Sequence, residues 1–514
     1  MRSQEGSNST IRLRSQTALP PPIKTIFTDG RTAEDHEDEP LSPMARLFHK
    51  PECNLHIIAI IGSKTPVDVE HVKSVLPDTL LKHPRFCSLQ VKDEKKGSTA
   101  MRWVRAKVNL DDHVHAPRLN TSTDDSAFSS SDQQVEDFIC NLTNVPLDQD
   151  RPLWDIHILN DITTTKEGAN AIAVLRFHHS LGDGTSLMSL LLGFARKASD
   201  PSAIPTIPFP IKKTKLIDDH ASKGVWFLMR LAWNTIMDVI LFLATAWFLS
   251  DTNNPLKADK KVALNPKRVV HRSVSMDDIK YVKNATGTTI NDVVMGVAEA
   301  GLSRYLNRRY GEGKEKETIE KEDNLPKDIR FRSVLFFNIR LLSGIHPVED
   351  MMEKGSLARW GNQIGYVLYP FNIVMRGNPI EYVHQAKATM DRKKASLESR
   401  FAYLISKLFV KYFGIQAASL PSNPTMWFSN MVGPREEMTL FGYPVAFVAP
   451  TCYGQPTGLM IHVMTYMDKL TFILSADDQT VPDPHQLCDD LEESLKLIKD
   501  AAMVIAQKQS LKKE

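Results

Sequence analysis

The sequence predicts an α/β protein of two domains with mixed sheets, and three observations carry that prediction. The chain has 514 residues, enough for two or three domains at roughly 150 residues each. Hydrophobic residues make up 42% of it and charged residues 24%, the profile of a chain with a packed core. Short apolar runs of strand length alternate with helical stretches in both halves. The net charge is only +2, from 63 Lys and Arg against 61 Asp and Glu. A nucleic-acid partner calls for a strongly basic face, and this balance predicts none. Cys53, Cys87, Cys140, Cys452 and Cys488 are scattered with no CxxC pair, which predicts neither a disulfide framework nor a structural zinc, in reducing surroundings.

Residues 1–40 are polar, carry Pro20-Pro21-Pro22, end in EDHEDEP and read as a disordered arm without the apolar core of a secretory signal. The first half covers 41–200. Its strands are LHIIAIIG (55–62) and the buried-looking AIAVLRF (171–177), with a polar loop at 119–133 between them. PSAIPTIPFP marks a proline-rich exit into a linker, 201–266. The second half covers 267–507, with strands RSVLFFNI (332–339), PVAFVAP (444–450), LMIHVMTY (459–466) and KLTFILSA (469–476). The charged run 310–328 reads as an exposed loop, and 508–514 as a tail.

Within the linker, residues 226–249 are apolar and long enough for a bilayer, which needs ~20 residues. Arg230, Asn234, Asp238 and Thr245 interrupt the run within an arc of about 80° at helical spacing. A narrow polar stripe on an apolar cylinder suits a membrane-surface helix, a helix dipping into the bilayer, or one packed on protein. Trp226, Trp233 and Trp247 suit an interface. A single span would put the two halves on opposite faces of the membrane, so a site needing both favours attachment without a full crossing. The stretch 398–414 mixes aromatics with Arg400, Lys407 and Lys411 and reads as an amphipathic helix, packed on the domain or touching a membrane.

The sharpest chemical feature is FHHSLGDG (177–184). It follows a strand and precedes a helical stretch, a junction where α/β proteins expose reactive groups. A neutral imidazole with a pKa near ~6.5 accepts a proton at neutral pH. Asp183 can pair with a cation and fix the turn, and Gly184 permits a tight backbone path.

HHxxxDG at a strand end resembles the signature of acyltransferases of the chloramphenicol acetyltransferase and condensation-domain type. With Pro152-Leu153-Trp154, Asn291-Asp292, FNIR (337–340), GNQIGY (361–366) and SNMVGPRE (429–436), the chain more narrowly resembles the plant wax ester synthase/diacylglycerol acyltransferases over roughly residues 42–505. The resemblance implies a two-domain chloramphenicol acetyltransferase-like fold with an interdomain tunnel. It implies His179 as the general base that removes the proton of an alcohol attacking acyl-CoA, with His178 in support. Asp183 would be structural, with Arg340 as its candidate partner and Gly184 completing the turn. Asn338, Ser429, Asn430, Gly433 and Pro434 would line the tunnel from the second half. The implied partners are acyl-CoA, a long-chain alcohol or diacylglycerol, and a membrane lipid surface, that of the endoplasmic reticulum with the catalytic part facing the cytosol, the plasma membrane being the alternative. No cofactor and no covalent acyl-enzyme is implied.

Other signals are weaker. Adjacent histidines do not direct both rings at one ion, and HExxH is absent, so no metal is expected. The DDHVH string (111–115) reads as a surface loop or strand edge. GEGKE (311–315) lacks the remaining glycine of a dinucleotide site and the GxxxxGK[ST] of a phosphate cradle. Gly184-Thr185-Ser186 lacks the closing glycine of a nucleophile elbow. Two alternatives remain at this level. One is a soluble-type acyltransferase of small-molecule alcohols, disfavoured because LFGYPVAF (440–447) stands where that type carries DFGWG. The other is a catalytically silent lipid-binding homologue.

Overall fold

The computed structural model describes residues 39–510 apart from 93–99, 120–130, 163, 208–223, 260, 315–321, 343 and 418–422. The N-terminal arm, most of the 119–133 loop, part of the charged run and the last residues of the tail lie outside the described residues.

Each apolar run expected to be a strand is one. The first half supplies β1 (His56–Ser63), the short β2 (Val114–His115), β3 (Trp154–Leu159) and β4 (Ala171–His178). Isoleucine and valine, branched at Cβ, favour the pleated backbone, and β1 and β4 are buried on both faces along most of their length. Helix α1 (Gly184–Phe194) and β5 (Ala195–Lys197) follow, and helix α2 (Val225–Trp247) joins the halves.

The second half begins with β6 (Arg268–Ser275), α3 (Met276–Thr286) and α4 (Ile290–Tyr310). The ND pair starts α4. Thr289 caps the helix and Asp292 closes a capping box, its carboxylate accepting from the Thr289 N–H at 2.9 Å. Then come β7 (Phe331–Asn338), β8 (Ile364–Phe371), α5 (Ile380–Lys394), α6 (Glu398–Ala417, kinked at Gly414) and β9 (Met426–Met431). The chain ends through β10 (Met438–Leu440), β11 (Tyr443–Tyr453), β12 (Leu459–Tyr466), β13 (Lys469–Ala476) and α7 (Pro484–Ser510).

Two mixed sheets result. One has six strands in the order β6-β13-β12-β9-β7-β8, with β9 parallel to both β12 and β7. The other has seven, in the order β2-β3-β4-β1-β11-β10-β5. Strands β10 and β11 therefore belong to the first half's sheet, β11 pairing antiparallel with β1. Residues 438–453, which follow the second half's first strands in the chain, thus pair in the first half's sheet. An apolar strand satisfies either sheet equally well, and only long-range pairing decides. The crossing ties the halves together and places the ends of β1, β4, β11 and β12 around one internal space.

The polar stripe of α2 faces the protein: Asn234, Asp238 and Thr245 are buried, while Trp226 (77%), Trp233 (64%) and Trp247 (75%) are exposed. Arg230 is exposed and leaves the stripe. His113 of DDHVH is buried and stacks on Trp154 at 4.3 Å between ring centroids, so it is a core residue beside the edge strand β2.

Candidate active site

Strand β4 delivers the two histidines with opposite orientations. His178 pairs with His56 of β1 and lies within the core. Its Nδ1 lies 2.6 Å from Ser180 Oγ and 3.3 Å from the Ser180 backbone nitrogen, and its Nε2 lies 3.1 Å from Asn54 Oδ1. The ring stacks on His49 at 4.1 Å and meets His56 edge-on at 5.0 Å. Burial, with His49 and His56 beside it, holds its pKa well below the ordinary value. Both ring nitrogens are occupied, and His178 is not on the wall of the central cavity.

His179 faces that cavity. Its backbone N–H donates to the Leu55 carbonyl at 2.9 Å, and Phe48 packs on the ring at 4.4 Å. The buried Asn362, on the segment before β8, holds it twice. Asn362 Nδ2 donates to the His179 carbonyl at 2.9 Å, and its Oδ1 lies 3.0 Å from His179 Nδ1. The first bond fixes which end of the amide faces the ring. An oxygen facing Nδ1 requires the proton there, which leaves the Nε2 lone pair free. Burial lowers the pKa of His179 below the ordinary histidine value.

Asp183 caps α1, accepting from the Ser186 N–H at 3.0 Å. Its carboxylate takes the Arg340 guanidinium in a fork, Nη1 to Oδ2 at 2.8 Å and Nη2 to Oδ1 at 3.0 Å, with both side chains buried. Arg340 Nη2 also donates to Ser186 Oγ and the Gly361 carbonyl, and its Nε to the Arg359 carbonyl. The Gln363 N–H donates to Asp183 Oδ2 at 2.9 Å, and Trp360 Nε1 to the Leu181 carbonyl at 2.9 Å. Residues 359–363 thus form a strap from the second half that clamps the histidine turn of the first. Gly361 makes the strap's bend at φ +109°, which favours glycine. At Gly184 a Cβ would stand 2.6 Å from Met431 Sδ, so a larger residue there would make the flexible end of Met431 shift.

The cavity encloses about 1290 Å³ including its open mouth. Its wall is hydrocarbon from both halves, including Leu55, Ile57, Leu187 and Phe194 on one side and Phe336 and Trp427 on the other. The polar exceptions are His179, Asp183, Ser429, Thr451 and His462. Thr451 Oγ1 and His462 Nδ1 bond at 2.9 Å, and burial pushes His462 down to about 3. Such a lining accepts a ligand that is mostly hydrocarbon with a reacting group at His179.

Of the residues expected to line this space from the second half, Ser429 does. Asn338 is exposed at the end of β7, where its Oδ1 accepts from the Arg340 N–H at 3.0 Å. Asn430 donates to Asn291 Oδ1 at 2.7 Å, tying the SNMVGPRE string to the ND pair. The Gly433 N–H donates to Thr465 Oγ1, and the Pro434 carbonyl accepts from the Met467 N–H. Asn430 lies on β9 between the wall residues Ser429 and Met431 and faces away, because a strand's alternating faces bring only every second residue inward, while Gly433 and Pro434 lie in the turn after β9.

The sequence model described as the wax ester synthase/diacylglycerol acyltransferase catalytic domain matches residues 48–294, and that of the WS/DGAT C-terminal domain matches 360–499. The chain belongs to this family. It is 44% identical over 490 residues to wax ester synthase/diacylglycerol acyltransferase 11 of Arabidopsis thaliana, covering 92% of this chain and 98% of that one. It is 42% identical over 483 residues to number 5 of the same plant, covering 90% and 94%. Among solved structures, the wax ester synthase/diacylglycerol acyltransferase from Marinobacter aquaeolei VT8 shares the fold at TM-score 0.56 and 17% identity, over 90% of this chain and all of that one. The epimerization domain from the third module of tyrocidine synthetase B shares it at TM-score 0.51 and 12% identity, over 93% and 100%. This WS/DGAT chain is an acyltransferase with the two-domain fold the motif implied.

Sequence reasoning assigned no role to Asn362 or to the Thr451–His462 pair. Asn362 stands in the GNQIGY string, but nothing local in an asparagine marks a partner 183 residues away.

Proposed function

We propose that this chain transfers a long-chain acyl group from acyl-CoA to a long-chain alcohol, giving a wax ester, or to diacylglycerol, giving triacylglycerol. The observation that carries this reading is His179, held by Asn362 with Nε2 unprotonated, in the wall of a hydrocarbon cavity between the halves. The names of the curated relatives support the same substrates.

In the proposed step the alcohol O–H gives its proton to His179 Nε2 as its oxygen attacks the thioester carbonyl. The tetrahedral intermediate then expels CoA sulfur, breaking the C–S bond, and the imidazolium returns the proton to the thiolate. General-base assistance of this kind contributes ~10²–10⁴-fold. The lowered pKa of His179 keeps the ring in its accepting form at neutral pH. Asp183 acts through position: its carboxylate is occupied by Arg340 and the Gln363 N–H and carries no proton in the reaction. His178 supports the turn from within the core. Acyl-CoA enters as substrate, and proton transfer with ester exchange needs no cofactor.

We assign the work to a membrane surface, the cytosolic face of the endoplasmic reticulum. The length and apolar character of α2 and the five free cysteines support that location. The reading is tested by giving the purified protein radiolabelled palmitoyl-CoA with hexadecanol and diacylglycerol in parallel. Labelled wax ester, triacylglycerol or both is expected. Label found only in free fatty acid would refute it.

A further inference from the structure

Helix α2 has its polar side inward. Asn234 Nδ2 donates to the Ala395 carbonyl at 3.1 Å, and Asp238 Oδ1 accepts from Arg392 Nη2 at 2.7 Å and Lys393 Nζ at 2.9 Å. Lys393 also donates to the buried Glu398 at 2.7 Å, and Thr245 accepts from Arg332. The opposite side presents Trp226, Trp233, Ile236, Ile240 and Trp247 to the exterior. Helix α6 packs beside α2, Phe401 meeting Phe242 edge-on at 5.7 Å, and exposes Leu404, Leu408, Phe409, Tyr412 and Phe413. The two packed helices thus both present an apolar face to the exterior.

We propose that this face sits in one leaflet of an anionic bilayer, with α2 lying in the membrane plane and not crossing it. A crossing helix must be wrapped by lipid or by other membrane helices along its length. Here the bonds at Asn234, Asp238 and Thr245 fix about 16 Å of α2 to the protein body, and a crossing would strip Asp238 of both its cations. Charge identifies the leaflet. The exposed charged side chains of α2 and α6 are Arg230, Arg400, Lys407 and Lys411, while their two carboxylates, Asp238 and Glu398, are buried. Cations beside an apolar face with tryptophan at its ends suit anionic headgroups over acyl chains. A second copy docked on this face would oppose cation to cation. Tyr403 of α6 donates to Gln363 Oε1 at 3.3 Å, so the helix that carries part of this face also touches the strap that holds His179.

The inference deepens the membrane attachment proposed above and is tested without catalysis. The purified full chain is sedimented with phosphatidylcholine vesicles, with and without phosphatidic acid. Binding is expected to rise with phosphatidic acid and to fall roughly 100-fold in the triple variant Arg400→Gln, Lys407→Gln, Lys411→Gln, at about fivefold per cation. The exposed double variant Trp233→Glu, Ile240→Glu is expected to stay folded and lose binding to both vesicles. Gly224→Cys and Ser250→Cys, flanking α2, are each expected to react with an impermeant maleimide outside sealed vesicles. Labelling of one only after lysis would establish a crossing and overturn the inference. Unchanged binding in the triple variant, or a dimer in solution that dissolves in the Glu double variant, would overturn it too. Protein that binds vesicles but makes no ester would fault the reaction and leave the membrane face standing.

Discussion

Replacing Asn362 separates the orientation of the base from its presence. Asn362→Ala removes two hydrogen bonds to His179, at 3.0 and 2.9 Å, in a buried position. The Nδ1–H then has no partner, and a buried donor left unpaired costs about 1–3 kcal/mol. The ring recovers that energy by turning or by moving its proton to Nε2, and either change disables the lone pair that accepts the alcohol proton. At 1.36 kcal/mol per tenfold, kcat should fall about 5- to 150-fold. Asn362 is not on the cavity wall, so KM for palmitoyl-CoA should hold. Asn362→Asp supplies the discriminating readout. A carboxylate beside Nδ1 favours the imidazolium, so His179, now below its ordinary pKa, is pulled upward. The acid limb of the rate profile should lie below about pH 6.5 in the parent protein and move to higher pH in the variant. Initial rates of ester formation from labelled palmitoyl-CoA across pH measure both effects. An alanine variant within twofold of the parent kcat, or an acid limb unmoved by the aspartate, would refute the positioning role.

Arg340→Met leaves Asp183 charged and buried without its fork, which should destabilise the protein by about 3–5 kcal/mol in a urea titration. Arg340→Lys should recover little of this, because one ammonium cannot make both bonds and still reach the Gly361 carbonyl. His178→Ala should lower the unfolding midpoint yet keep the rate per folded molecule within about tenfold, far from the ~10²–10⁴-fold ascribed to a base. Burial holds His56, His83 and His462 down to about 3, while the unfolded chain takes up protons near about 6.5. The unfolded state therefore binds more protons below that pH, and stability should fall on acidification from about 6.5 toward 3, by on the order of 1 kcal/mol per pH unit for each histidine. Urea midpoints that stay flat down to about pH 5 would contradict this.

What could be read from the residues follows their range of interaction. Strand positions were legible because apolar runs and β-branched residues act locally: LMIHVMTY and KLTFILSA coincide with β12 and β13. The turn at 178–184 was legible because a strand end, a cap residue and two glycines sit within a few positions. The pairing of Arg340 with Asp183 came from resemblance and holds in the structure. The direction of the α2 stripe was not legible. A helix with one polar side carries no mark of which side meets protein, and Arg332, Arg392 and Lys393, which decide it, lie 87–155 residues away. The same range hid the placement of β11 in the first sheet and the hold of Asn362 on His179. Asn338, Asn430, Gly433 and Pro434 sit in motif strings that surround the site, but their bonds serve the scaffold.

The most direct test compares the parent protein with His179→Ala, both confirmed folded by circular dichroism and thermal unfolding, on labelled palmitoyl-CoA with hexadecanol and with diacylglycerol. Ester should form in the parent and fall by ~10²–10⁴-fold in the variant. Undiminished ester formation by folded His179→Ala would contradict the assignment of His179 as the base.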